Sequence, residues 1–513
     1  MPKRRVISLI AAILAAGGSL VFTGAYAVHL RSDTYRKSVE QDLTAFFRLP
    51  CEIAHVRGRT FSSREFRDVA IYLPDRRDRV FSCKSAVWHE IPSPADEVHH
   101  LDLTNGIFLL GSDRWLRDDY KTIFVSGLGH DFSELNLARV GISDFEFGFN
   151  RGDFALRCRK ADGEVDLEDD DEGVARLQAY ELNGIPIPEG VGIRARFKVK
   201  NGVDVREVTL SLPEVPLASV GLDGILNGPI TRGHFAGMVR YVSPDREHPS
   251  EIWVSGSLRD AALEELTRRL AIGPFVGDVS VNVESARLDG TVVTHLKGRG
   301  SIRDLSFSSF APLLGVPKLS GSASMTFEPV DVSLGRINRL RIEGRVIDVA
   351  LEEILQIVGR GSATGRVTVH VNNLEIVENA IKSADLEVFA DPPRGAAGTI
   401  DRTLLLGAAE KILNFSWPES IPESFLPEKL EYVRFGARLL IRDNQLRILG
   451  THGASNDVIL TVRVFGQSFG LIKEQSGTID LTPWVDQFLG RLREYDPERV
   501  REWWRTHGRA SES

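Results

Sequence analysis

Four glycines, Gly237, Gly277, Gly321 and Gly365, stand 40, 44 and 44 residues apart, and each opens a short run of alternating apolar and polar residues. After Gly277 the run DVSVNV puts Val279, Val281 and Val283 on one side. After Gly321, SASMTF does the same for Ala323, Met325 and Phe327, and after Gly365, RVTVHV does so for Val367, Val369 and Val371. Val239 and Tyr241 follow Gly237 in the same phase. A period of two is the period of a strand, so these runs predict sheet with one apolar and one polar side. Recurrence at a fixed interval predicts a repeat array, which has no natural upper size and presents a long surface of uniform chemistry.

Each unit also carries a return strand and a short helix. The returns are read at Ile252 to Leu258, Val292 to Phe307, Leu340 to Val349 and Ala384 to Ala390. The helices are read in DAALEELTRRL, where Leu263, Leu266 and Leu270 share a face, and at Phe310 to Leu314 and Leu351 to Val358. Several domains would fit in 513 residues, but no Pro/Ser-rich linker divides the chain. A charged fraction of 26% beside 42% hydrophobic residues describes a foldable chain, and a net charge of -8 argues against nucleic acid as a partner.

The amino terminus sets the expected compartment. Lys3, Arg4 and Arg5 precede an uncharged stretch from Val6 to Leu30, long enough to cross a hydrocarbon core of roughly 30 Å as a helix. A retained anchor with its N-terminus cytoplasmic is the expectation, with cleavage after Ala25-Tyr26-Ala27 the alternative. Beyond it, Tyr35, Val39, Leu43 and Phe47 recur every four residues until Pro50, which predicts an amphipathic helix. The segment from Cys51 to Ile91 then reads as three short strands with turns at Arg57-Gly58 and Pro74-Asp75. Cys51 and Cys83 fall in neighbouring strands and form the candidate disulfide, leaving Cys158 free; two other pairings, or three buried thiols, stay open.

Enzymatic motifs are missing: there is no G-x-x-x-x-G-K-[ST], H-E-x-x-H or G-x-S-x-G, so no catalytic residue, metal or cofactor is expected. His99 and His100 lie near Glu90 and Asp96, but adjacent histidines point to opposite sides of a strand. The acidic run Glu164 to Glu172 lacks the glycine and ligand spacing of a calcium loop and reads as a solvated loop.

An anchor, a short helix, a strand ending near Val56 and then FRDVAIYLP and RVFSCKSAVW together resemble the opening of the AsmA-like proteins, relatives of TamB and of the bridge-like lipid transfer proteins. ISDFEFGF at Ile142 to Phe149 and FGARLLIRDNQLRILGTHG at Phe435 to Gly453 continue the likeness, which rests on pattern and order over most of the chain. The resemblance implies a mainly β protein: an N-terminal transmembrane helix, then an elongated, curved repeat sheet forming a trough, or β-taco, with short interspersed helices. It implies an inner-membrane anchor, a periplasmic body and movement of phospholipid or another acylated envelope molecule along the apolar side. In that scheme Val239, Tyr241, Val279, Val281, Val283, Ala323, Met325, Phe327, Val367, Val369 and Val371 face lipid, and the small residues Ala323, Gly298, Gly300, Gly344 and Ala384 leave room for it. The other reading is an anchored scaffold or assembly factor for outer-membrane proteins, with a closed β-core and a protein partner.

The expected divisions are an anchor over 1–31, an N-terminal β region over 32–225, repeated hairpin and helix units over 226–395, a C-terminal β region over 396–482 and a helical tail over 483–513. In the tail, Trp484, Phe488 and Leu492 share one helical face, and Val500, Trp503 and Trp504 lie among arginines on a second helix after Asp496-Pro497.

Overall fold

The computed structural model describes residues 29–60, 62–73, 79–91, 98–110, 136–151, 154–167, 172–198, 204–223, 228–242, 251–268, 274–289, 292–311, 316–334, 336–358, 361–393, 395–405, 427–464, 466–473 and 477–481. The anchor at 6–30, except its last two residues, and the helical tail at 483–513 lie outside the described residues. Among the described residues no helix is long and apolar enough to cross a membrane. The protein is mainly β: among the described residues 23 strands are assigned to one hydrogen-bonded sheet, with few helices. Two compact units divide the chain: 1–225 with 238–250, and 226–237 with 251–513.

The first unit opens with helix α1 (Asp33–Phe47). Ser32 caps it, its hydroxyl accepting the Tyr35 N–H at 3.2 Å, and Arg48 ends it with φ of 52°. Strands β1 (Cys51–Thr60), β2 (Ser63–Tyr72), β3 (Arg79–Ile91) and β4 (Val98–Leu110) then run antiparallel to their neighbours. β5 (Leu137–Arg151) pairs with β4 in parallel, for instance Leu103 with Ile142, a change of direction that strand alternation alone does not signal. β6 (Phe154–Asp166), β7 (Glu172–Leu182), β8 (Ile185–Lys198) and β9 (Asp204–Pro216) resume the antiparallel order, and β10 (His234–Val242) pairs with β9. The expected turn at Arg57-Gly58 does not occur, because both residues continue β1 and pair with Glu65 and Arg64.

The apolar side of this unit is a packed core. Ile53, Phe145, Ala161, Ala179, Val191 and Val215 are buried, and Tyr35, Val39 and Leu43 of α1 pack against them, as their four-residue spacing requires. The helix also covers the backbone of β1 on the side away from β2. Glu40 accepts the Ile53 N–H at 2.9 Å, Thr44 accepts the Cys51 N–H at 3.1 Å, and Arg36 donates to the Ile53 carbonyl at 3.0 Å.

The second unit holds the repeats: β11 (Glu251–Ala262), α2 (Leu263–Leu266), β12 (Asp278–Asp289), β13 (Val292–Ser306), a 3-10 turn at Phe307–Phe310, β14 (Ser322–Ser333), β15 (Arg336–Ala350), α3 (Leu351–Val358), β16 (Arg366–Val377) and β17 (Ala380–Asp391). It closes with β18 (Gly398–Asp401), β19 (Lys429–Arg442), β20 (Gln445–Gly450), β21 (Val458–Val464), β22 (Gln467–Lys473) and β23 (Ile479–Asp480). β19 pairs with β17, β18, β20 and β21, and around it Leu430, Tyr432, Ile459, Leu460 and Val462 form a separate core.

The repeat is stricter than the glycine count implies: its period is 44 residues throughout. The residue equivalent to Gly277, Gly321 and Gly365 is Gly233, all four having positive φ, while Gly237 corresponds to Val281 and Met325. The N–H of Leu263, Phe307 and Leu351 each donates to the carbonyl of the glycine fourteen residues on, at 2.8, 3.0 and 3.0 Å. Asp260, Asp304 and Asp348 all sit at φ near 50–60°, each at a bulge before the helical turn. Aspartate tolerates that conformation better than most side chains, which explains its recurrence there. Buried Glu265 accepts the Thr231 N–H at 2.9 Å and the Arg232 N–H at 3.3 Å, and buried Glu353 accepts the N–H of Ser320, the residue equivalent to Arg232.

These bulges also correct the expected helix in DAALEELTRRL. Asp260 to Ala262 remain in β11, and the helix is the four-residue turn α2. The expected helix at Phe310 to Leu314 lies largely outside the described residues; what the structure describes is a 3-10 turn at Phe307–Phe310, starting 44 residues from the starts of both α2 and α3. Turns at the other strand ends are tight: Glu378-Asn379 and Asp443-Asn444 have left-handed φ at both positions, the two-residue geometry that matches sheet twist.

Candidate functional site

Cross-strand register gathers the apolar positions of the second unit into continuous rows. One row runs Ala261, Val279 and Ile302, then Met325, Gly344, Val371, Leu386 and Leu439. The next runs Leu258, Val281, Gly300, Phe327, Ile342, Leu374, Ala384 and Ile441 through the same pairings. Nine candidate positions fall here: Val279, Val281, Val283, Ala323, Met325, Phe327, Val367, Val369 and Val371 all belong to this one side. Val239 and Tyr241, in β10, are half-exposed and alternate with exposed Met238 and Arg240.

Burial along this side is graded. At the helical-turn end Ala261, Val279, Ala323, Val349, Val367 and Ala390 are buried, and Phe307, Phe310, Leu351 and Ile354 of the turns pack beside Val349 and Val367. Away from the turns, Val281, Val283, Met325, Phe327, Val369 and Val371 are only half-buried. Inner positions of a closed sandwich interlock with a second sheet and lose nearly all contact with solvent. Here the helical turns shield one margin, and the rows beyond it keep apolar area exposed.

Opposite this side the sheet is charged. Arg299 pairs with Glu328 at 3.4 Å, Arg339 with Glu375 at 2.9 Å and Arg438 with Asp385 at 2.6 Å, and Arg287 pairs with Glu251. These exposed pairs add little stability individually but identify the solvated side. Hydrogen bonds from Arg438 hold the Asp385 carboxyl below its ordinary value against the opposing effect of burial.

Glycine on the apolar side has another purpose than leaving space. A Cβ on Gly344 would lie 2.3 Å from the Ser324 carbonyl oxygen, and one on Gly298 would lie 2.3 Å from that of Asn282. Gly256, Gly300 and Gly344 recur every 44 residues beside register shifts, so they permit close strand approach at the bulges. Gly344→Ala is expected to lower stability by about 1–3 kcal/mol, seen as a lower urea midpoint.

The candidate disulfide is not formed: Cys51, Cys83 and Cys158 are free and buried. Cys51 stands opposite Ile71 and Cys83 opposite Val69, so β2 lies between them. Two strand spacings are ~9.6 Å, beyond the reach of a disulfide. Burial pushes the thiols up to about 11, 12 and 11 respectively. His99 and His100 lie on opposite sides of β4; His99 faces Glu90, His100 faces His89, and Asp96 is outside the described residues. Among the described residues no group of three His, Cys, Asp or Glu side chains is placed to hold a metal. The acidic run is partly strand: Glu164 to Asp166 end β6 and Glu172 begins β7, with 168–171 outside the described residues.

A polar centre escaped notice in the sequence. In the first unit, on the side opposite the core, Glu65 has 2% of its side chain exposed and accepts Nε donors from Arg57, Arg59 and Arg67, with Ser85 donating at 3.2 Å. Burial alone would raise its carboxyl, but the three guanidinium hydrogen bonds outweigh that and pull it from 4.5 down to about 2. Arginines at two-residue spacing, 57 and 59 and then 67 beside Glu65, were the available signal.

No protein-family model, curated protein or solved structure matches this chain.

Proposed function

We propose that the protein binds phospholipid or another acylated molecule along the apolar side of its second unit and moves it from one membrane toward another. The observation that carries this reading is the half-exposed, register-matched set of rows through Val281, Phe327, Ile342 and Leu374. Acyl chains laid on such rows would recover ~25 cal/mol for each Å² of apolar surface removed from water. The resemblance to AsmA-like proteins points the same way. It implies an inner-membrane anchor at residues 6–30 and a periplasmic location for the remainder.

Photo-crosslinking side chains introduced at Val281 and Val369 are expected to capture lipid, and those at Ser280 and Thr368 are not. Equal labelling of both sides would overturn the proposal. Val281→Asp is expected to abolish lipid capture while circular dichroism and melting stay near wild type, because Val281 is half-buried rather than interlocked. Global unfolding of that variant would instead favour a packed scaffold whose partner is another protein.

A further inference from the structure

We propose that the arginine fan around Glu65 is a binding site for a phosphate-bearing group, on the side of the first unit opposite its core. Arg57, Arg59 and Arg67 each spend Nε on the one carboxylate, and their Nη nitrogens make no hydrogen bond to any described residue. Three positive charges meet one negative charge, and the three arginine side chains remain 43–48% exposed. With Nε held by Glu65, each guanidinium keeps its Nη donors for another acceptor, a donor set that suits tetrahedral oxyanions.

A cleft of about 420 Å³ begins at Arg59 and crosses β3, β4 and β5. Its floor is made of small hydroxyl residues in register: Ser85 opposite Thr104, and Thr104 opposite Ser143. The Thr104 and Ser143 side chains are exposed and their hydroxyls have no partner among the described residues, and the absence of a Cβ at Gly141 leaves room beside Asp102. One carboxylate, Asp102, borders the cleft, with its Oδ2 3.2 Å from His89 Nε2. Cationic forks at one end and neutral hydroxyls along the floor fit a phosphate attached to a hydroxylated body. A lipid headgroup and a soluble phosphate ester share that chemistry.

The test uses the full-length chain in neutral detergent. Inorganic phosphate and glycerol phosphate are titrated calorimetrically, and flotation is measured with vesicles of phosphatidylcholine alone or with added phosphatidic acid. Wild type is expected to bind a phosphate probe with an affinity that falls as salt rises. Arg59→Gln should weaken binding ~10-fold, Arg59→Lys should restore part of it, and Ser143→Leu should block the cleft without touching the fan. Each variant is checked by thermal melting; Arg59→Gln leaves Glu65 two arginines, so its fold is expected to hold. Binding of the soluble probes identifies a soluble ester as ligand, and preference for acidic vesicles alone identifies a headgroup. Absence of any phosphate-dependent binding by wild type, or binding unaltered in both Arg59→Gln and Ser143→Leu, overturns the site.

Discussion

Replacing Arg57, Arg59 and Arg67 together with glutamine is expected to lower the stability of the first unit by about 3–5 kcal/mol at neutral pH, because it leaves the Glu65 carboxylate buried without a cation. The pH dependence supplies the sign. In the wild type the Glu65 carboxyl lies at about 2 when folded against an ordinary 4.5, so its stabilisation is present above pH 4.5 and is lost as pH falls toward 2. That window corresponds to about 3 kcal/mol. In the triple variant desolvation acts unopposed and raises the carboxyl, so acidification should recover stability where the wild type loses it. Urea midpoints measured from pH 7 down to pH 3 test this, and parallel curves for the two proteins would contradict it.

Excision of residues 278–321 is the second large expected result. It removes one 44-residue period and joins Gly277 to Ser322, reproducing the Gly321 to Ser322 junction. β11 then meets β14, with Ala261 against Ala323 as Leu305 is against it now. The shortened chain is expected to keep strand-rich circular dichroism and a cooperative melt. Excision of 278–320, one residue fewer, offsets Ala323, Met325 and Phe327 onto the charged side, since a single-residue slip exchanges the two sides of a strand. Exposing the Met and Phe side chains costs about 1.5–3 kcal/mol each, so that chain should melt much earlier or aggregate. Identical melting of both deletions would show that the period is not structural.

Much of the second unit was legible because alternation and burial obey one rule there. The phase of Val279, Val281 and Val283 against Ala323, Met325 and Phe327 fixes which residues share a side, and the structure pairs those rows. What alternation cannot carry is the bulge. Each left-handed Asp260, Asp304 and Asp348 shifts the phase within a strand, and at Asp260 this makes the end of β11 read as helix and stops the expected return at Leu258. Gly237 reads as the head of its unit because it also opens an alternating run, whereas Gly233 occupies the equivalent turn. The parallel β4–β5 pairing depends on residues far apart in the chain and leaves no local trace. Glu65 is hidden in the sequence for a related reason: a charged residue between charged residues reads as solvated surface, and only the fold shows that the carboxylate is covered.

The hydrogen bonds that join β1 to Glu40 and Thr44 as acceptors and to Arg36 as donor have a consequence for solubility. A bare strand at the margin of a sheet offers its N–H and carbonyl groups to any extended chain, including another copy of the same protein. Here the groups at Cys51 and Ile53 are already taken by side chains of a helix, and side chains cannot be handed on as a further strand. Strand addition is therefore blocked at Cys51 and Ile53, the end of β1 nearest the helix.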